Sequence, residues 1–131
     1  MNADRSQSRS GGPSVKRRRA DRAGRSAEAL CALALRLTGH HILARRFRTP
    51  VGELDIVARK GPVLAFIEVK ARASFALAAE SIAARQRQRV ERAAGAYLAA
   101  HPALARLDPR FDAMLVAPWR WPRHLRDAWR P

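Results

Sequence analysis

Acidic side chains are scarce in this chain, so their placement is informative. Of 11 Asp and Glu residues, only Glu28, Glu53, Asp55 and Glu68 lie between Gly24 and Lys70. Three of these four fall on two consecutive strand-like runs, 53–59 and 63–70, both rich in Ile, Val, Leu and Ala. Side chains alternate along a strand, so Glu53, Asp55 and Val57 share one face, and Phe66, Glu68 and Lys70 share a face on the next run. The short Lys60-Gly61-Pro62 segment between them predicts a hairpin. With Gly61-Pro62 as its two-residue loop, Asp55 lies opposite Glu68 and Glu53 opposite Lys70. With Lys60-Gly61 as the loop, which suits a primed turn better because Gly61 tolerates positive φ, Glu53 lies opposite Glu68. Opposite pairs stand roughly 5 Å apart at Cβ and diagonal pairs roughly 7–8 Å, so either register lets Asp55 and Glu68 approach one ion.

Two adjacent carboxylates repel unless a cation or proton intervenes. Oxygen-only ligands suit a hard cation, Mg²⁺ or Mn²⁺, rather than zinc. Lys70, two residues after Glu68 on the same face, adds a compact positive charge. Such a trio can hydrolyse a phosphodiester: the metal polarises the phosphate and acidifies the attacking water, and the ammonium orients that water or stabilises developing charge. An ordinary amphipathic hairpin with a solvated outer face shows the same alternation. Val57 and Phe66 on the acidic faces weigh against that simpler reading, because carboxylates beside them are partly buried and an unpaired buried charge is costly.

Other chemistries find little support. The four His are His40, His41, His101 and His124, and none has metal-ligand spacing to another His or Cys. The single Cys31, in an apolar run, excludes an intramolecular disulfide and reads as a buried thiol. No phosphate-binding Gly-rich loop and no G-x-S-x-G nucleophile elbow occurs. The apolar run of residues 29–35 is too short to span a membrane, and the polar first 23 residues contain no signal-like apolar core, so the expectation is a soluble cytoplasmic protein.

The elements that must position these residues follow from periodicity. Residues 24–38 read as a helix with Leu30, Leu33 and Leu37 on its apolar stripe and Gly39 as its stop. Strands are expected at 41–46, 53–59, 63–70 and 111–117, a long second helix at 79–100, and a short terminal helix at 123–129. The order αβββαβ predicts an α/β fold, a three-layer sandwich around a central mixed sheet, in which the long helix crosses over to a parallel strand. Residues 1–23 read as a disordered basic arm, either a nucleic-acid tether or a solvated tail, and 24–131 as a single domain.

Charge supplies the partner class. The 131 residues carry 26 Lys and Arg, all Arg but Lys16, Lys60 and Lys70, for a net charge of +15. That excess favours a polyanion, with nucleic acid the natural one. Arg85, Arg89 and Arg92 form a stripe on the second helix that reads as a phosphate-tracking ridge or as a plain solvated face. Trp119 and Trp121, between Pro118 and Pro122, offer base stacking, but the favoured expectation is that they close one end of the core.

The runs Gly52-Glu53-Leu54-Asp55-Ile56-Val57-Ala58-Arg59 and Phe66-Ile67-Glu68-Val69-Lys70 resemble the YraN-type family, which is assigned to the PD-(D/E)XK nuclease superfamily. Gly24-Arg25 with Glu28, Ile42-Leu43-Ala44-Arg45, Tyr97-Leu98 and Arg110-Phe111-Asp112 extend the likeness over 24–129. The resemblance implies a restriction-endonuclease-like fold and an Mg-dependent endonuclease acting on DNA, branched DNA included. It further implies Asp55 and Glu68 as metal ligands, Lys70 as the catalytic lysine, Glu28 as a further catalytic carboxylate from the first helix, and Glu53 as an accessory. Junction-cutting relatives act as dimers, which extends the expectation to a homodimer. The chain departs from the pattern with Ala27 and Ala76 where Gly is usual, Arg46 where Asn is usual and Gln86 near an expected Lys. The competing expectation is a catalytically lapsed nucleic-acid-binding module of the same fold. A ribosome- or RNA-associated basic protein would explain the charge but not the hairpin carboxylates.

Overall fold

The computed structural model describes the backbone of residues 13–131 and the side chains of 24–131. The expected basic arm therefore lies outside the described residues, apart from the backbone of 13–23. That backbone is helical: α1 runs Pro13–Leu37, starting well before Gly24. Pro suits the first helical position, and the Arg, Lys and Ala that follow are good helix formers, so nothing stops the helix short of Pro13. Its C-terminus lies where expected, with the His40 amide donating to the Leu35 carbonyl at 2.9 Å beyond Gly39.

Strands β1 (His41–Thr49), β2 (Gly52–Lys60) and β3 (Val63–Ala71) form the expected antiparallel meander. Ile56 pairs with Ile67 and Lys60 with Val63, so Gly61-Pro62 is the hairpin loop and Gly61 takes the positive φ of 58°. The long helix expected over 79–100 is interrupted near its start: a short helix, α2 (Phe75–Glu80), begins earlier, and α3 (Ala84–Ala100) covers the rest. The Ser74 hydroxyl accepts from the Leu77 amide to start α2, the Ser81 hydroxyl donates to the Ala78 carbonyl at its end, and Ile82 turns into the core between the helices. The chain then crosses to β4 (Asp108–Val116), parallel to β3.

The last segment corrects the sequence reading. Arg123–Trp129 is a strand, β5, antiparallel to β4, rather than a terminal helix. Seven residues make a marginal isolated helix. The open edge of β4 offers a hydrogen-bonded ladder instead, and a buried carboxylate, Asp112, anchors both His124 and the Asp127 amide. The result is a five-stranded mixed sheet in the order β1-β2-β3-β4-β5 with helices on both faces, the α/β three-layer sandwich compatible with a restriction-endonuclease-like core.

Each face has its own core. Cys31, Ala32 and Leu35 of α1 pack on Ile56, Ala58, Ala65, Ile67 and Met114. Val90, Ala93, Ala94 and Tyr97 of α3 pack on Leu54, Val57, Leu64, Phe66 and Leu115. Val57 was expected on the face of Asp55, yet it shares the α3 side with Leu54. The alternation of β2 therefore slips between Leu54 and Val57, across Asp55 and Ile56.

α3 approaches β2 closely. A Cβ on Gly52 would lie 1.9 Å from the Arg89 carbonyl oxygen, a backbone atom that cannot step aside. Gly52→Ala is therefore expected to force α3 off the sheet and to destabilise the fold by about 3 kcal/mol, read as a lower midpoint in urea unfolding. Among the described residues no helix is long and apolar enough to cross a membrane.

Candidate active site

The β2–β3 ladder ends at Ile56 and Ile67, one rung short of Asp55 and Glu68. Beyond that rung the Asp55 carboxylate accepts a hydrogen bond from the Val69 amide at 2.8 Å, which pins its side chain between the strands. Glu68 is buried at 4% exposure, and its carboxylate accepts from the Gln86 amide of α3 at 2.9 Å. A single cavity of about 430 Å³ is lined by Glu28, Glu53, Asp55, Glu68, Lys70 and Gln86, with Arg72 also in its wall. All five residues proposed from the hairpin and first helix thus meet in one place. Arg85, Arg89 and Arg92 are exposed on α3 and are not part of the cavity wall.

The electrostatics are those of crowded anions. Burial, then hydrogen bonding with Asp55 and the Asp55 charge, push the Glu68 carboxyl up to about 9, against the opposing pull of Gln86 and Lys70. Burial and then the Asp55 charge also raise Glu28, with Arg46, Arg45 and Arg48 opposing. Cys31 beneath the site is fully buried and is pushed up to about 12 by burial and by the same two carboxylates, so it is an inert thiol.

Whether these residues fit a divalent cation can be tested on the donor atoms themselves. Glu28 Oε1 is buried and has no hydrogen-bond partner among the described residues, and it borders the cavity. Asp55 and Glu68 share a contact that, without a cation, calls for a proton. An oxygen-only set with one unsatisfied buried carboxylate oxygen fits Mg²⁺ or Mn²⁺. Among the described residues no three Asp, Glu, His or Cys side chains already converge as a cluster.

Two residues gain parts that their sequence context did not suggest. Gln86, which stands near the position of an expected Lys, holds the buried Glu68. Arg46 takes a left-handed backbone conformation, φ 56°, which is strained for its side chain and congenial to Asn, the residue usual there in the resembled family. Its Nη1 is buried with no hydrogen-bond partner among the described residues, and its charge bears on Glu28. The only signal for either was the departure from the family pattern.

A model of the family described as Uncharacterised protein family UPF0102 matches residues 27–116. The chain belongs to the UPF0102 (YraN-type) family. A UPF0102 protein of Parvibaculum lavamentivorans is 54% identical over 110 residues, covering 84% of this chain and 83% of that protein. One of Paramagnetospirillum magneticum is 52% identical over 122 residues, covering 90% and 95%. One of Bradyrhizobium sp. is 57% identical over 104 residues, covering 79% and 74%. The UPF0102 match thus spans both strands of the acidic hairpin, from Gly52 to Lys70.

Proposed function

We propose that this UPF0102 protein is a metal-dependent nuclease that hydrolyses phosphodiester bonds in DNA. The observation that carries the proposal is the buried Glu68 carboxyl held against Asp55, with Lys70 two residues along the same strand, all in one cavity. Asp55 and Glu68 would hold Mg²⁺ or Mn²⁺, with Glu28 reaching the same cavity from α1. The ion supplies charge neutralisation on the phosphate and acidifies a water. Lys70, half-buried in the cavity wall, orients the attacking water and stabilises charge developing on the phosphate oxygens. Gln86 fixes the Glu68 carboxyl by its hydrogen bond, so that its oxygens are presented in one orientation. Arg72 and the exposed Arg85, Arg89 and Arg92 bind backbone phosphates on either side.

The test is incubation of labelled linear, flapped and four-way DNA with the protein in Mg²⁺, in Mn²⁺ and in EDTA. Cleavage is expected with either metal and none in EDTA, and Lys70→Met is expected to slow it about a hundredfold while DNA binding persists. The lapsed binding module is favoured by one observation, the lack of a ready-made three-carboxylate cluster among the described residues. DNA binding without cleavage under every metal condition would decide for it.

A further inference from the structure

Trp119 and Trp121 do not close the core as the sequence suggested. Trp119 is completely exposed, at 101%, and Trp121 is 56% exposed, whereas Trp129 alone is buried, donating from its indole to Glu91 at 3.0 Å. The loop that carries the first two joins β4 to β5. Its turn is fastened by the Arg120 amide donating to the Ala117 carbonyl, and Trp119 is held there at φ 63°, a strained conformation for a bulky residue. Strain and a large exposed apolar surface both cost stability, and no contact within the described fold compensates them at Trp119.

The position of this loop supplies a reason. Val116 pairs with Ala71 and Leu115 with Lys70, so the loop leaves the sheet beside the catalytic lysine of the proposed site. An apolar hollow of about 470 Å³, lined by Ala27, Leu30, Ala71, Val116 and Pro118, lies against the acidic cavity and shares Ala27, Ala71 and Arg72 with it. Arg120 and Arg123, on either side of Trp121 in the chain, have their guanidinium groups 5.3 and 4.7 Å from the Phe75 ring centroid, so the segment that bears the indoles also carries two cations resting on Phe75. Flat aromatic faces, an apolar hollow and guanidinium groups together match a nucleotide whose base is out of the helix. The base stacks on an indole, and the phosphates meet the arginines. In a duplex the bases are stacked on one another and offer no free face.

We propose that Trp119 and Trp121 form a stacking platform for unpaired bases, which selects single-stranded DNA, or the single-stranded arm of a larger substrate, next to the proposed cleavage site. This rests on the nuclease reading for its purpose, but its test does not need cleavage. Binding of a fluorescent 20-nucleotide oligo(dT) and of a duplex of equal length is measured by anisotropy in EDTA, with the full chain and with Trp119→Ala and Trp121→Ala. The wild type is expected to bind the single strand more tightly than the duplex. Each variant is expected to lose about tenfold in single-strand affinity and less than twofold on duplex. Oligo(dT) is also expected to quench wild-type tryptophan emission, with a smaller change in each variant. Equal affinity for both DNAs, unchanged single-strand binding in the variants, or an equal loss on both DNAs would overturn the platform. Failure of cleavage in Mg²⁺ with this binding pattern intact would count against the nuclease reading alone.

Discussion

Asp112→Ala is expected to lose about 3–5 kcal/mol of folding stability, the largest loss from any single side chain outside the candidate site. Asp112 has no exposed surface, and all of its bonding capacity is used. Arg110 donates to both of its oxygens at 2.8 Å, His124 lies 2.7 Å from Oδ2, and the Asp127 amide donates to Oδ1 at 2.9 Å. Removing the carboxylate leaves a partly buried guanidinium and an imidazole uncompensated and unfastens β5 from β4. Burial alone would raise this carboxyl, but the His124 and Arg110 hydrogen bonds, the Asp127 amide and the Arg110 charge outweigh it and hold the group at about 2. A depressed carboxyl contributes stability that is fully present above its unfolded value of 3.8 and is lost as pH falls through about 2. The gap between wild type and Asp112→Ala in urea midpoint should therefore be full at pH 7 and shrink between about pH 4 and pH 2. A gap that stays constant to pH 2 would show that the carboxylate's charge is not what stabilises the fold.

The second large effect is on chemistry. Asp55→Asn is expected to reduce Mg²⁺-dependent DNA cleavage by about a thousandfold, equivalent to roughly 4 kcal/mol of transition-state stabilisation. The substitution keeps the shape of the side chain, and its amide oxygen can still accept from the Val69 amide, so the strand end that Asp55 fastens is preserved. What is lost is one negative charge in the cavity. The variant should consequently match the wild type in circular dichroism and in single-strand binding in EDTA while its cleavage falls. Loss of cleavage together with loss of folding would place Asp55 among the structural residues instead.

The hairpin was legible because its information is local. Period-two alternation puts Glu68 and Lys70 on one face of β3, and Gly61 marks the turn. Sequence alone left two registers open, since both two-residue loops satisfy the same parity, and the positive φ at Gly61 is compatible with either. Val57 was misplaced because the slip at Asp55 accompanies a left-handed Arg46 on the neighbouring strand, a tertiary irregularity with no signature in β2 itself. The terminal strand was read as a helix because what decides it lies elsewhere, in the open edge of β4 and in Asp112. The part played by Gln86 depends on α3 sitting close enough for its side chain to reach Glu68, and that closeness is set by the bare Cα of Gly52. Trp119 and Trp121, between Pro118 and Pro122, were expected to close one end of the core. Their exposure accompanies a turn fastened by the Arg120 amide on the Ala117 carbonyl.

Everything proposed for the cavity depends on Asp55 and Glu68 forming a divalent cation site. Titration of the metal-free protein with Mn²⁺, followed by electron paramagnetic resonance of the free ion, tests it without any assumption about substrate. One saturable Mn²⁺ per chain is expected in the wild type, displaced by excess Mg²⁺ and lost in both Asp55→Asn and Glu68→Gln. A wild type that takes up no Mn²⁺, or binding that persists unchanged in both variants, would contradict it.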